Sequence, residues 1–181
     1  MTIPDTSKPL LWFTGLSGAG KTTIAEAVLA ELVRCGERAE LLDGDEIRAA
    51  LSPDLGFSRR DRDLQVARLG FVASLLTRNG ITVLVSAISP FSGPRRAAIA
   101  KSSLGHEIYV KAALEVVQTR DTKGLYARAR RGEITGLTGV DDPYEEPLQP
   151  DLVLDTGRSE LQSCVRAALG LIGKEASFAR Q

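Results

Sequence analysis

The run GLSGAGKT, from Gly15 to Thr22, fits the pattern G-x-x-x-x-G-K-[ST], whose residue types suit the holding of phosphate. Gly15, Gly18 and Gly20, with Leu16, Ser17 and Ala19 between them, let consecutive backbone N–H groups point at one spot. The helix expected to follow adds the partial positive charge of its N-terminus. Lys21 can bridge the β- and γ-phosphates of ATP, Thr22 can hold the Mg²⁺ that joins them, and Thr23 closes the nucleotide-binding run. A bare glycine turn between strand and helix has no use for Lys-Thr at its end.

A second set of candidates sits in LLDGDEIRAAL, Leu41 to Leu51, where two acids flank a glycine directly after an apolar run. An Asp just before a helix often only caps it, its oxygen taking an orphan backbone N–H. At the end of a strand beside the phosphate cradle, other roles open. Asp45 could take the proton of an acceptor hydroxyl or hold a Mg²⁺-bound water, while Asp43 could orient that hydroxyl or cap the helix starting near Glu46. Arg48 and Arg62 are what an anionic acceptor needs, since a guanidinium binds phosphate or sulfate oxygens in bidentate fashion. Arg59 and Arg60 read as a solvated helix start. Phe57, in the turn LGFS, is either an aromatic platform or a core residue.

These groups need positioning elements, and the chain supplies a regular set. Short apolar runs at 10–14 (LLWFT), 39–43 (AELLD), 81–88 (ITVLVSAI), 106–111 (HEIYVK) and 151–155 (DLVLD) suit strands buried on both faces. Helical patterns alternate with them: KTTIAEAVLAELVRCG, a long segment from Ser58 to Gly80, SGPRRAAIAKSSLG, and a closing helix near 159–172. Ser58 with Asp61 resembles a capping box, and Gly36, Gly80 and Gly105 stand where helices should stop. The alternation predicts an α/β fold of three layers, a parallel five-stranded sheet with helices on both faces, as in P-loop NTPases. At 181 residues the chain has the size of one domain, 1–181. The segment 120–150, rich in Gly, Pro and Arg, is too long for an ordinary connection and is expected to be a mobile, partly helical lid. The tail 174–181 is expected to fray.

Composition narrows the function further. Twenty-three basic residues balance 23 acidic ones, so no global field draws nucleic acid or a membrane. No run approaches the apolar length of a bilayer crossing, and MTIPDTSKPLLWF has no basic region followed by a long apolar run, so a soluble, cytoplasmic protein is expected. Two cysteines, Cys35 and Cys164, read as small core residues, and with one His they form no zinc spacing. A GTPase would carry a guanine-reading N-K-x-D segment, which is absent, and the strand expected beside the cradle ends in Ser86 rather than an acid. A small domain with a basic lid suggests a kinase for a small molecule, closing over its substrates to exclude water.

Taken in order, GLSGAGKTT, LDGDEIR, LGFS with DR after it, ISP, RDTKGLYARARRGEITGLTGVDDPYEEP and LVLDT resemble the adenylyl-sulfate kinase (APS kinase) family from Leu11 to Thr156. The resemblance implies transfer of the ATP γ-phosphate to the 3′-hydroxyl of adenosine 5′-phosphosulfate, with Mg²⁺, a homodimer, and an ATP sulfurylase as a possible partner. Carried over by position, Arg48, Phe57 and Arg62 would bind the adenylyl sulfate, with Phe57 stacking on its adenine. Lys123 would reach the transferred phosphoryl, and Asp45 would stand near the acceptor hydroxyl and metal. Ser89, in ISP, matches a position described in the family as a phosphoserine intermediate, although a substrate-contacting hydroxyl is the more economical role. Departures cluster on the acceptor side. Leu64 and Gln65 replace a carboxylate and an amide one carbon shorter, and Leu137 stands where the lid normally has Phe. A related kinase for another anionic nucleotide-linked acceptor, or an ATP- and APS-binding regulatory module without turnover, would share most of the pattern. Intact Lys21, Asp45 and Lys123 argue against the inactive module.

Overall fold

The computed structural model describes residues 7–174. Five strands, β1 (Leu10–Thr14), β2 (Ala39–Asp43), β3 (Thr82–Ser86), β4 (Gly105–Lys111) and β5 (Leu152–Asp155), form one parallel sheet in the order β2-β3-β1-β4-β5. Seven helices connect or follow them: α1 (Lys21–Arg34), α2 (Gly44–Leu51), α3 (Arg59–Arg78), α4 (Ser92–Ile99), α5 (Leu114–Arg120), α6 (Leu125–Arg130) and α7 (Leu161–Leu171). Each expected strand run carries an observed strand.

Strand β1 shows why the runs are apolar throughout. Its side chains alternate between two cores, Leu11 and Phe13 packing with Ile24, Val28 and Val165 on one face, Leu10 and Trp12 with Val66, Leu69 and Ala98 on the other. Both faces are covered, so all five β1 residues are buried. The chain reverses direction of travel across the sheet at β1, having placed β2 and β3 on one side and β4 and β5 on the other. That reversal leaves a crevice at the carboxyl ends of the central strands, the position where such sheets hold ligands.

Helix punctuation follows the sequence in most places. Ser58 accepts from the Asp61 amide at 3.2 Å and its hydroxyl donates to the Asp61 carboxylate at 2.7 Å, and Gly36 and Gly80 end helices in the left-handed conformation. Gly105 is a correction. Helix α4 already stops at Ile99, and Gly105 opens β4, where a Cβ would stand 2.7 Å from the Ile99 carbonyl oxygen. Helix α5 was not expected. Cys35 is exposed, against a core placement, whereas Cys164 is buried. The lid segment 120–150 has one short helix, α6, then irregular chain with a single Thr138–Asp142 bridge. The expected frayed tail lies, from residue 175 on, outside the described residues. Among the described residues no helix is long and apolar enough to cross a membrane.

Candidate active site

The crevice at the switch in strand order is a cleft of about 490 Å³, walled by the P-loop, the ends of β2 and β3, the start of α3, and the lid. Its floor is the Gly15–Thr22 loop. Gly15 has φ 151°, and a Cβ there would lie 2.2 Å from the Val110 carbonyl oxygen, so the loop can press against β4 only as glycine. Ser17, Gly18, Gly20, Lys21, Thr22 and Thr23 line the cleft, while Leu16 and Ala19 turn toward the core and hold the loop from beneath. Tyr126 of α6 adds a hydrogen bond from its hydroxyl to the Ser17 carbonyl at 2.9 Å.

Lys21 donates to the Leu16 carbonyl at 2.8 Å and is 8% exposed. Burial, then the positive charge of Lys123, brings its pKa down to about 8, with Asp45 and Asp43 acting in the opposite direction. Two lysines share the confined cleft, and Asp45 pairs with the outer one, Lys123.

Asp43 takes one of the parts left open by the sequence, the helix cap, and adds a bond to the cradle that the sequence did not offer. One carboxylate oxygen caps α2, accepting from the amides of Asp45 at 2.9 Å and Glu46 at 3.4 Å, and the other accepts from the Thr22 hydroxyl at 2.9 Å. The Ser86 hydroxyl lies 2.8 Å from the same Thr22 oxygen. Asp43 and Ser86 face each other in the β2–β3 register, so the sheet itself brings them to one level. Thr22, Asp43 and Ser86 therefore make a compact set of hard oxygen donors at the cradle. Among the described residues no three His, Cys, Asp or Glu side chains gather as a metal cage. That combination fits Mg²⁺, which is held by few protein oxygens together with substrate phosphates. Asp45 was expected beside Thr22 as a metal partner; it instead pairs with Lys123 across the cleft mouth, both side chains largely exposed.

The acceptor candidates form the opposite wall. Phe57 is 69% exposed, so its ring is not part of the core. The Arg48 guanidinium sits 4.5 Å from the ring centroid and that of Arg62 5.8 Å. Arg62 is also fastened to the lid, donating to Thr138 Oγ1 at 2.8 Å and the Gly136 carbonyl at 2.6 Å, with Asp142 at 3.1 Å. Gln65 lines the cleft at 7% exposure; its amide nitrogen donates to the Gly44 carbonyl at 3.3 Å, and its Oε1 has no partner among the described residues. Ser89 reaches the cleft in a left-handed conformation, φ 47°, its hydroxyl oxygen accepting from the Trp12 indole at 3.1 Å. Leu137 is a correction: this residue of the lid segment is buried in the core and does not line the cleft.

Several cleft residues escaped the sequence reasoning. Ser86 was passed over because it is not an acid. Arg120 donates to the Thr156 hydroxyl at 3.0 Å and its carbonyl at 2.7 Å, and the Thr156 hydroxyl donates to the Ala19 carbonyl at 2.8 Å, closing the far end of the cradle. Leu161 and Cys164 of α7 line that end. A helix-terminal Arg and a Thr after the last strand are the only traces of this in the sequence. Arg59 lies outside the cleft and is exposed, as expected, with its guanidinium 4.0 Å from the Phe91 ring centroid and near Glu145.

Comparison with known proteins gives a consistent result. The profile of the adenylylsulphate kinase family matches residues 8–155. The adenylyl-sulfate kinase of Deinococcus deserti is 52% identical over 167 residues, covering 92% of both chains. That of Chloroflexus aurantiacus is 52% identical over 165 residues, covering 91% of this chain and 89% of its own. Among solved structures, the Mycobacterium tuberculosis APS kinase in complex with AMPPNP and APS superposes with a TM-score of 0.87 at 42% identity, covering 92% of this chain and 98% of its own.

Proposed function

The chain belongs to the adenylylsulphate kinase family, and from that premise we propose that it transfers the γ-phosphoryl group of ATP to the 3′-hydroxyl of adenosine 5′-phosphosulfate, releasing ADP and 3′-phosphoadenosine 5′-phosphosulfate. The observation that carries the proposal is the single cleft in which a phosphate cradle faces an Arg48–Phe57 platform, with Asp45 and Lys123 at its mouth.

Phosphoryl transfer asks little covalent chemistry of the protein, so positioning and charge do most of the catalysis. Backbone amides of the Gly15–Thr22 loop hold the ATP phosphates, and Lys21, charged below its pKa of about 8, lies against them. Thr22 and Asp43, supported by Ser86, would hold Mg²⁺, which when bound neutralises the charge shared by the β- and γ-phosphates. Arg48 and Arg62 hold the anionic end of the acceptor, while Phe57 receives its adenine. Asp45 aligns the acceptor hydroxyl and takes its proton as the bond to phosphorus forms. Lys123, released from Asp45, turns to the phosphoryl oxygens. Ser89 donates its hydroxyl hydrogen toward the substrate; its oxygen accepts from the Trp12 indole, and among the described residues no base is bonded to it that would make it a nucleophile. Transfer is therefore direct and in line, without a phosphoserine.

The deciding experiment follows ADP release by purified protein with ATP and Mg²⁺, with and without adenosine 5′-phosphosulfate, the product checked by mass. A large stimulation with a 3′-phosphorylated product supports the proposal; ATP binding without stimulation sinks it. The unpaired Gln65 Oε1 in the acceptor wall favours one alternative, a related anionic nucleotide-linked acceptor, and the same assay run over a panel of such nucleotides distinguishes it. We further propose that residues 1–181 act as one domain with a lid at 120–150, that the protein is a cytoplasmic homodimer, and that an ATP sulfurylase supplies its acceptor.

A further inference from the structure

Arg95 is fully buried, yet the mechanism above does not use it. Its Nε donates to Glu107 of β4, which needs only one nitrogen to satisfy the buried charge. The two remaining arms reach two different parts of the chain. One donates at 2.6 Å to the carbonyl of Ser89, the left-handed residue in the cleft wall, and the other at 3.1 Å to the carbonyl of Glu145, where the lid returns to the body. Tyr144, next to Glu145, stacks under the same guanidinium at 5.9 Å and meets Thr14 at the end of β1. The Glu145 amide donates to the Pro90 carbonyl at 2.8 Å, and its carboxylate accepts from the Ser92 amide at 2.8 Å. Glu107 is itself tied through its amide to Asp151, just before β5.

We propose that Arg95 is a positioning residue that locks the Ser89–Pro90 wall and the lid's return limb into one unit, so that the acceptor half of the cleft keeps its shape while the front of the lid moves. A salt bridge to Glu107 alone could be made by lysine. Only a planar fork with several fixed donors can serve a carboxylate and two carbonyls from separate segments at once. Burial sharpens the effect, because a displaced guanidinium would deprive the Glu107 carboxylate and the Ser89 carbonyl of a partner in the interior.

The kinetic arm of the test rests on the acceptor proposed above; the exchange arm does not. In Arg95→Lys, which keeps a cation for Glu107, amide hydrogen exchange at Glu145 and Ser92 should accelerate together by at least about tenfold, while the β1 and β3 amides keep their protection. In steady state, kcat/KM for adenosine 5′-phosphosulfate should fall about tenfold with the KM for ATP within about twofold of wild type. Unchanged exchange, acceleration at only one of the two amides, or equal acceleration across the sheet would overturn the proposal, as would equal losses for both substrates. Should the lysine variant not fold, Glu107→Gln decides: it should accelerate the same two amides by a smaller factor, and no change there overturns the proposal. A wild-type protein inactive toward adenosine 5′-phosphosulfate would sink the acceptor and leave the exchange result to judge Arg95.

Discussion

The two halves of the cleft are built on opposite plans. On the donor side, Lys21, Gly15, Ser17 and Ala19 are buried, Thr22, Asp43 and Ser86 are joined by hydrogen bonds, and Tyr126 and Thr156 hold the Ser17 and Ala19 carbonyls. On the acceptor side, Phe57 stands 69% exposed, and Asp45 and Lys123 hold each other at the surface. A cradle for a phosphate chain can be made in advance, since its donors are backbone groups fixed by the fold. In the proposed reaction the exposed rim of the acceptor side, Asp45 and Lys123, exchanges partners around the substrate, while the Ser89–Pro90 wall behind it is held by Arg95. On that reading nucleotide binding belongs to the preformed part and closure to the exposed rim.

The sharpest way to break the contrast is at its rigid end. Lys21→Met should lower turnover about a thousandfold, the upper range for removing one preorganised charge from a transition state, and should weaken ATP binding as well. A loss confined to the acceptor would deny the division of labour. Asp45→Asn should cost about a hundredfold in kcat while ATP binding, followed by calorimetry, stays near wild type. A near-normal rate would remove Asp45 from proton transfer. Arg48→Ala should raise the acceptor KM about tenfold without moving the KM for ATP; equal rises would make Arg48 a structural residue.

Proton titration gives a smaller and independent test. Lys21 has its pKa lowered to about 8 by burial first and Lys123 second, so the free protein loses that charge as pH rises through this value. kcat/KM for ATP should therefore fall roughly fourfold between about pH 7 and pH 8.5, with no parallel decline in the Lys21→Met variant. An invariant profile would show that Lys21 keeps its proton through the range. The smallest effect belongs to Gln65→Asn, which shortens the side chain by one carbon. It should shift the acceptor KM by only a few-fold, in the range of one neutral hydrogen bond.

How much of this was legible in the sequence follows the same division. Strand β1 could be read because a strand buried on both faces must be apolar at every position, and the P-loop because glycine, lysine and threonine at that spacing serve one chemistry. The cap by Asp43 was legible from its place before α2, but not its bond to Thr22, since a carboxylate's second oxygen has no sequence signature. Ser86 was missed because its role comes from the β2–β3 register, a long-range property. Helix α5 was hidden by its shortness and by the valines in LEVVQTR, which favour strand as readily as helix. Leu137 was assigned to the acceptor by its place in a family pattern, whereas packing in the core decided its position. Arg95 drew no reading of its own, because the groups that bury it come from residues 89, 107, 144 and 145.

The indole of Trp12 lies in the core with its N–H on the Ser89 hydroxyl at the cleft wall, and it is the only tryptophan in the chain. Indole emission responds to what its N–H is bonded to and to the polarity around it. The protein thus carries a built-in optical sensor, placed by evolution of the fold rather than by labelling, at the seam between sheet and substrate. In the proposed reaction the acceptor contacts Ser89, so its arrival should change the indole emission, and a stopped-flow instrument can time it on the unmodified protein.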